Sequence, residues 1–186
     1  PSDPMGSAED LMSHIERTRP KVGFCAKSRS EVYQKACGNL PFIEIDEMSV
    51  TPELCNFSEV ESWPTPNALD RAAVMFTSGT TGLPKGVEIT QANYAFAGHA
   101  MALAASLTSD DRQFVVLPLF HANAQYYSFA SAIYAGASVA LMATFSASRF
   151  LHQAAKHEVT AASLFAAPIR MILARGEPVD GLKLRH

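Results

Sequence analysis

The sequence predicts an α/β fold, a layered and mostly parallel sheet flanked by helices, and three observations carry that expectation. Short apolar runs alternate with helical stretches, the βαβ rhythm of parallel strands joined by crossover helices. Residues suited to start helices, among them Ser7, Thr90 and Ser146, recur between those runs. Finally, 186 residues with 48% hydrophobic and only 18% charged side chains suffice to bury a sizeable core.

Taken in order, Ser7 with Asp10 three residues on predicts a helix carrying Leu11, Met12 and Ile15 and ending before Pro20. "KVGFC" reads as a strand, "SRSEVYQKAC" as a helix and "FIEI" as a strand. The pattern lapses over residues 46–70, where "SEVESWPTPNALDR" reads as a surface connection. It resumes with a strand over 72–76, a glycine-rich loop and the short strand "GVEI". Thr90 then caps a long helix to about Leu107, and "FVVLPL" is a strand. "ANAQYYSFASAIYAGA" is a helix closed by Gly136, and "SVALMA" a strand. Ser146 caps a helix to about His157, "VTAASLF" is a strand, and Pro168 opens a last helix ending near Gly176. The whole reads as one layered unit. "VDGLKLRH" reads as the approach to a further strand, so the chain is expected to be a piece of something longer.

The net charge of −3 and the lack of any long basic run argue against nucleic acid or an anionic membrane as partner. Cys25, Cys37 and Cys55 are odd in number and contain no CxxC pair, which fits a reduced setting better than a disulfide scaffold or zinc site. The most apolar stretch, residues 94–107, is shorter than the roughly 20 residues a membrane helix needs. "PSDPMGSAED" lacks the apolar core of a signal peptide. A cytoplasmic location is the resulting expectation.

"FTSGTTGLPKG", Phe76 to Gly86, is too rich in glycine and hydroxyls for an ordinary turn. Successive N–H groups in such a loop can converge on an anion. Gly79, Gly82 and Gly86 permit positive φ and close backbone approach. The hydroxyls of Thr77, Ser78, Thr80 and Thr81 can donate to phosphate or ligate a cation, and Lys85 adds a positive charge aimed by Pro84. The spacing fits neither the Walker A nor the Rossmann pattern. A plain hairpin turn is the competing reading.

"FTSGTTGLPKGV" resembles the phosphate-binding signature of the adenylate-forming (AMP-binding) enzymes, namely acyl-CoA synthetases, luciferases and peptide-synthetase adenylation domains. Every position of the consensus, an apolar or aromatic residue followed by [ST]-[ST]-G-[ST]-[ST]-G-x-P-K-G, is filled. "ITQANY" and "PLFH" resemble the family's following elements, and the likeness runs over essentially the whole chain. It implies that Thr77, Ser78, Gly79, Thr80, Thr81, Gly82 and Lys85 cradle the β- and γ-phosphates of ATP, with the Thr77 hydroxyl contributing to magnesium. It further implies CoA and a small carboxylic acid as co-substrates.

"PLFHANAQYY" follows a strand, where ligand-facing loops of a parallel sheet gather. In the acyl-CoA synthetases that this chain resembles, the matching aromatic or histidine borders the acyl pocket and the pantetheine entry. That implies that Phe120 and His121 border the substrate pocket, where His121 orients the carboxylate or gates the thiol, while Asn123 and Gln125, just inside the helix, can offer the pocket hydrogen bonds to a polar acyl group. The competing reading makes His121 a helix cap. His99, Tyr94, Gly98 and Met101 share an apolar helix, where core packing is the expectation. "HANAQ" is similar to carnitine- or crotonobetaine-type ligases, a hint about the acyl group and no more.

The family's later motifs do not occur in these residues: no Y-G-x-T-E stretch, no ribose-binding aspartate, no hinge and no C-terminal domain with its catalytic lysine. The resemblance therefore implies a partial N-terminal AMP-binding domain over 1–186, with full activity belonging to a longer parent. Two alternatives stand beside the acyl-CoA ligase: an adenylation domain loading an amino or aryl acid onto a carrier protein, and a non-catalytic nucleotide- or phosphate-binding module.

Overall fold

The computed structural model describes residues 2–3, 5–45, 62, 64–77, 85–176 and 178–185. Where the sequence reads as one layered unit, the chain divides into two compact units, Pro1–Pro66 and Asn67–His186.

In the first unit α1 (Ala8–Thr18) begins at the expected cap. The Ser7 hydroxyl accepts from the Asp10 amide at 3.1 Å, and the Asp10 carboxylate accepts from the Ser7 amide at 3.1 Å. The helix stops at Arg19, in the left-handed region at φ 46° just before Pro20. β1 (Gly23–Ala26) pairs in parallel with β2 (Phe42–Ile45), and α2 (Ser30–Cys37) makes the crossover. Gly23 is dictated by that crossover, since a Cβ there would lie 2.4 Å from the Tyr33 hydroxyl of α2. Cys25 and Cys37 are buried free thiols, and burial pushes the pKa of both up. Residues 46–61, including Cys55, lie outside the described residues.

The second unit opens with an antiparallel hairpin of β3 (Arg71–Thr77) and β4 (Lys85–Thr90). Then α3 (Gln91–Ala104) starts from the predicted Thr90 cap, with Asn93 returning the bond. It ends short of Leu107, because Ser106 turns left-handed at φ 46°. β5 (Arg112–Val115) is the centre of a parallel sheet ordered β6-β5-β7, with β6 at Ser138–Leu141 and β7 at Ala161–Ala162. The predicted strands over 114–119, 138–143 and 159–165 overreach, because their last residues leave the ladder for the loops that follow. The helix expected over 122–137 comes in two parts: a π-helical stretch over Asn123–Ala130, then α4 (Ser131–Ala135), closed as predicted by Gly136 at φ 70°. Ser146 does not cap α5 (Phe150–Lys156). Its hydroxyl contacts the Ser148 hydroxyl at 3.3 Å, and the helix starts three residues later than such a cap allows. In α6 (Ala166–Leu173) Pro168 sits in the first turn, where its missing N–H costs nothing.

The core of this unit is Phe114, Val115, Val116 and Leu117 of the central strand and its extension, packed with Phe150, Ala154, Val159 and Ile172. At the amino end of β5, Asp111 is only 3% exposed. It accepts from the Thr108 amide at 2.8 Å, the Thr108 hydroxyl at 3.2 Å, the Thr160 hydroxyl at 2.6 Å, and Nε and Nη2 of Arg185. The Arg185 amide also donates to the Thr160 carbonyl at 2.8 Å, so residues near 185 run beside the start of β7. No helix among the described residues is long and apolar enough to cross a membrane.

Candidate active site

The glycine-rich segment joins β3 to β4, and its ends meet. Thr77 pairs with Lys85 as the last rung of the hairpin, and the Thr77 hydroxyl points at the Lys85 carbonyl at 3.5 Å, the outer limit of a hydrogen bond. Both side chains are exposed. Ser78, Gly79, Thr80, Thr81 and Gly82 lie outside the described residues. Gly86 is needed for space rather than for positive φ. It is absent from the positive-φ glycines, and a Cβ on it would meet the Val74 side chain at 3.0 Å and the Phe76 ring at 3.4 Å.

The second group of residues lies past the carboxyl end of β5. Here the chain leaves Leu117 through Pro118 and turns at His121, whose amide donates to the Pro118 carbonyl at 3.1 Å. His121 is exposed, and its ring leans on Phe120 with centroids 4.3 Å apart. The π-helical stretch that follows has no side-chain cap, so the His121 ring does not hold it; the His121 carbonyl accepts from the Gln125 amide at 3.4 Å. Asn123 donates from Nδ2 to the Ser163 hydroxyl at 3.0 Å, while its Oδ1 is buried with no partner.

Gln125 is fully engaged inside the protein. Its Nε2 donates to the Leu119 carbonyl, and its Oε1 accepts from the Tyr94 hydroxyl. This pair of bonds ties α3 to the turn that carries Phe120 and His121. Tyr94 packs edge-on against Tyr126 at 4.8 Å, and burial, with Tyr94 nearby, pushes the Tyr126 phenol up to about 12. Gly98 allows the close approach of α3 to the π-helical stretch, since a Cβ there would lie 2.6 Å from the Ala130 carbonyl oxygen. His99 is not in the core. It is exposed and stacks on Tyr134 at 4.7 Å.

Between these elements lies a cavity of about 190 Å³, lined by Met101 of α3 and Ala105 just past its end, Gln113 of β5, Tyr127, and residues 161–164. Asn123 reaches it through Ser163. Sequence reading missed Gln113, Tyr127 and Ser163. The signal was a polar residue just before an apolar strand, "QFVVL", but the predicted strand began one residue later. Among the described residues no cluster of three or more His, Cys, Asp or Glu could hold a metal ion.

The sequence profile described as AMP-binding enzyme matches residues 1–185. The chain belongs to the AMP-binding enzyme family. Among the relatives of this AMP-binding chain is 2-succinylbenzoate–CoA ligase of Bacillus subtilis, 41% identical over 118 residues, which are 63% of this chain and 23% of the relative. Another is crotonobetaine/carnitine–CoA ligase of Shigella sonnei, 39% identical over 106 residues, 57% of this chain and 20% of the relative. O-succinylbenzoate coenzyme A synthetase from Bacillus subtilis, solved in complex with AMP, is similar at TM-score 0.81 and 28% identity, covering 98% of this chain and 46% of that one. ATP-bound MatB from Rhodopseudomonas palustris shares the fold at TM-score 0.77 and 22% identity, over 87% of this chain and 33% of that chain. The matched region thus spans about a fifth of the length of these curated relatives.

Proposed function

We propose that the chain is part of an ATP-dependent acyl-CoA ligase. In the reaction a carboxylate oxygen attacks the α-phosphorus of ATP, pyrophosphate leaves, and the thiol of CoA then displaces AMP from the acyl carbon. The observation that carries this reading is the Thr77–Lys85 rung, which closes a complete AMP-binding signature at the tip of a hairpin. Relatives that are CoA ligases support the acceptor.

In this reading Thr77, Ser78, Gly79, Thr80, Thr81, Gly82 and Lys85 hold the β- and γ-phosphates, with backbone N–H groups and hydroxyls donating and Lys85 neutralising charge. Holding the polyanion still aligns its α-phosphorus for attack. Magnesium, when bound, supplies further neutralisation of the phosphate charge. The Thr77 hydroxyl is exposed, and the contact it makes among the described residues, to the Lys85 carbonyl at 3.5 Å, is weak enough to let it turn towards such a cation.

The acyl group enters beside Phe120, His121 and Asn123 and extends into the cavity beyond Ser163. His121, exposed at the turn, orients the carboxylate or gates the thiol. Gln125 serves the same pocket by holding the turn through Leu119. Acid-dependent exchange of pyrophosphate into ATP by the full-length parent, followed by thioester formation with CoA, tests the proposal. Exchange with no acid in a broad panel would overturn it.

A further inference from the structure

The phosphate hairpin and the turn carrying His121 belong to different strands, yet a continuous set of contacts joins them through α3. At its start the helix is built into the base of the hairpin. Thr90 is both the last residue of β4 and the cap of α3. The Gln91 amide donates to the Asp70 carbonyl at 2.9 Å, and the Ala92 amide to the Ala68 carbonyl at 2.9 Å. Ala68 and Asp70 lie just before β3, so the first turn of α3 is fixed to the base of both strands that end in the Thr77–Lys85 rung.

Tyr94, the fourth residue of the helix, reaches the other side. Its hydroxyl donates to Gln125 Oε1, and Gln125 Nε2 donates to the Leu119 carbonyl. Chemistry sets the direction of this relay. A carbonyl can only accept, so the amide must offer it the nitrogen and turn its oxygen to the phenol, which must then donate. Burial pushes the Tyr94 pKa up, which keeps that proton in place. The Leu119 side chain packs against the core, and Phe120 and His121 follow it directly.

The π-helical stretch explains why Gln125 is available. Its bonds join residues five apart and bring them to one side, whereas on an α-helix residues three or four apart share a face. Gln125 and Ala130 are five apart and both face α3. Gln125 meets Tyr94, and the Ala130 carbonyl oxygen lies 2.6 Å from the place of a Cβ on Gly98, one turn further along α3. An ordinary α-helix that kept the Ala130 contact would turn Gln125 roughly 140° away and break the relay.

We propose that Tyr94 is a positioning residue: through Gln125 and the Leu119 carbonyl it registers the turn that carries His121 against the phosphate hairpin, so that the carboxylate is presented in line with the nucleotide. The inference rests on the ligase reading above and adds a residue that acts without contact to the reacting atoms. Two half-sites on separate strands need such a tie, because a misplacement of about 1 Å can cost about a hundredfold in rate.

Tyr94→Phe in the full-length parent tests this, since it keeps the ring and its packing on Tyr126 while deleting the donor. The kcat of acid-dependent pyrophosphate exchange falls by about tenfold or more, while ATP affinity measured by calorimetry stays within about twofold of wild type. In a His121→Ala background the same substitution costs less than about twofold, because the side chain that the relay positions is gone. A residue that only stabilises the fold would lower both backgrounds alike. An unchanged kcat overturns the inference, as does a loss of the same size with and without His121, or one confined to ATP affinity. Should Tyr94→Phe fail to fold, Gln125→Met, which breaks the relay from its other side, decides by the same comparison. Exchange absent from the wild-type parent with every acid overturns the ligase reading; exchange that is present and indifferent to Tyr94 overturns this inference alone.

Discussion

Replacing Asp111 with alanine removes the acceptor at which Thr108 in the loop after α3, Thr160 just before β7 and Arg185 converge. Five hydrogen bonds end on that carboxylate, from Thr108 (two), Thr160 and Arg185 (two). Breaking a buried pair costs about 3–5 kcal/mol. Here the low end applies, about 3 kcal/mol, because the Arg185 side chain is 42% exposed and Thr108 is exposed, so both can turn to water. Hydrogen exchange at the β5 amides in the full-length protein reads the loss directly, as a fall in protection of about a hundredfold. The same carboxylate gives the sheet an acid limb. Arg185 foremost, and then Thr160 and Thr108, hold its pKa well below the usual carboxylate range against the opposing effect of burial. A depressed folded pKa contributes stability in full above the unfolded value of about 3.9, and loses it as pH falls further towards the folded one. The acid limb therefore lies below about pH 4 and is absent in Asp111→Asn, which keeps the shape without the charge. Protection reduced by less than tenfold in Asp111→Ala, with an acid limb that overlays the wild type, would refute this reasoning.

Three further outcomes are expected. Lys85→Ala weakens ATP binding and slows adenylation by about ten- to a hundredfold, the worth of a charge-assisted hydrogen bond of roughly 1.5–3 kcal/mol, as read by pyrophosphate exchange. His121→Ala raises the KM for acid or CoA, or lowers turnover, while ATP affinity measured by calorimetry stays within about twofold; an ATP loss equal to that of Lys85→Ala would move His121 to the nucleotide. Gly98→Ala drives a methyl into the Ala130 carbonyl and destabilises the α3 contact by about 1–3 kcal/mol, visible as a lower urea midpoint, whereas Ala97→Gly on the same helix costs only about 1 kcal/mol.

What the sequence made legible follows from how local each cause is. The caps at Ser7 and Thr90 and the stop at Gly136 depend on residues within a turn of one another, and the structure has all three. Ser146 is not a cap because α5 starts only at Phe150, beyond the reach of its hydroxyl, which lies 3.3 Å from that of Ser148. Strand ends depend on what lies alongside, which is why β7 shrinks to Ala161–Ala162 next to a central strand whose own ladder ends early. The phosphate signature was legible because a loop's composition is its function. The cavity was not. Gln113, Tyr127 and Ser163 come from three elements brought together only by packing, and Gln125, which reads as a substrate contact, spends its amide on Leu119 and Tyr94. Gly86 reads as a positive-φ position in the sequence and is a clearance for Val74 and Phe76 in the structure.

The hairpin works like a rack whose teeth are set at one end and read at the other. Arg71 faces Thr90 and Ala73 faces Ile89, so Ala72 is an extra residue that offsets the two strands at the base. From there the pairing runs unbroken to Thr77 and Lys85, four residues and about 14 Å away. Side chains alternate along β4, so Lys85 shares a face with Val87 and Ile89. A slip of a single rung would carry it to the face of Gly86 and Glu88. The direction in which Lys85 points is thus clocked by a small residue at the far end of the hairpin. A deletion of Ala72 would mis-time the loop while leaving every residue of its signature in place.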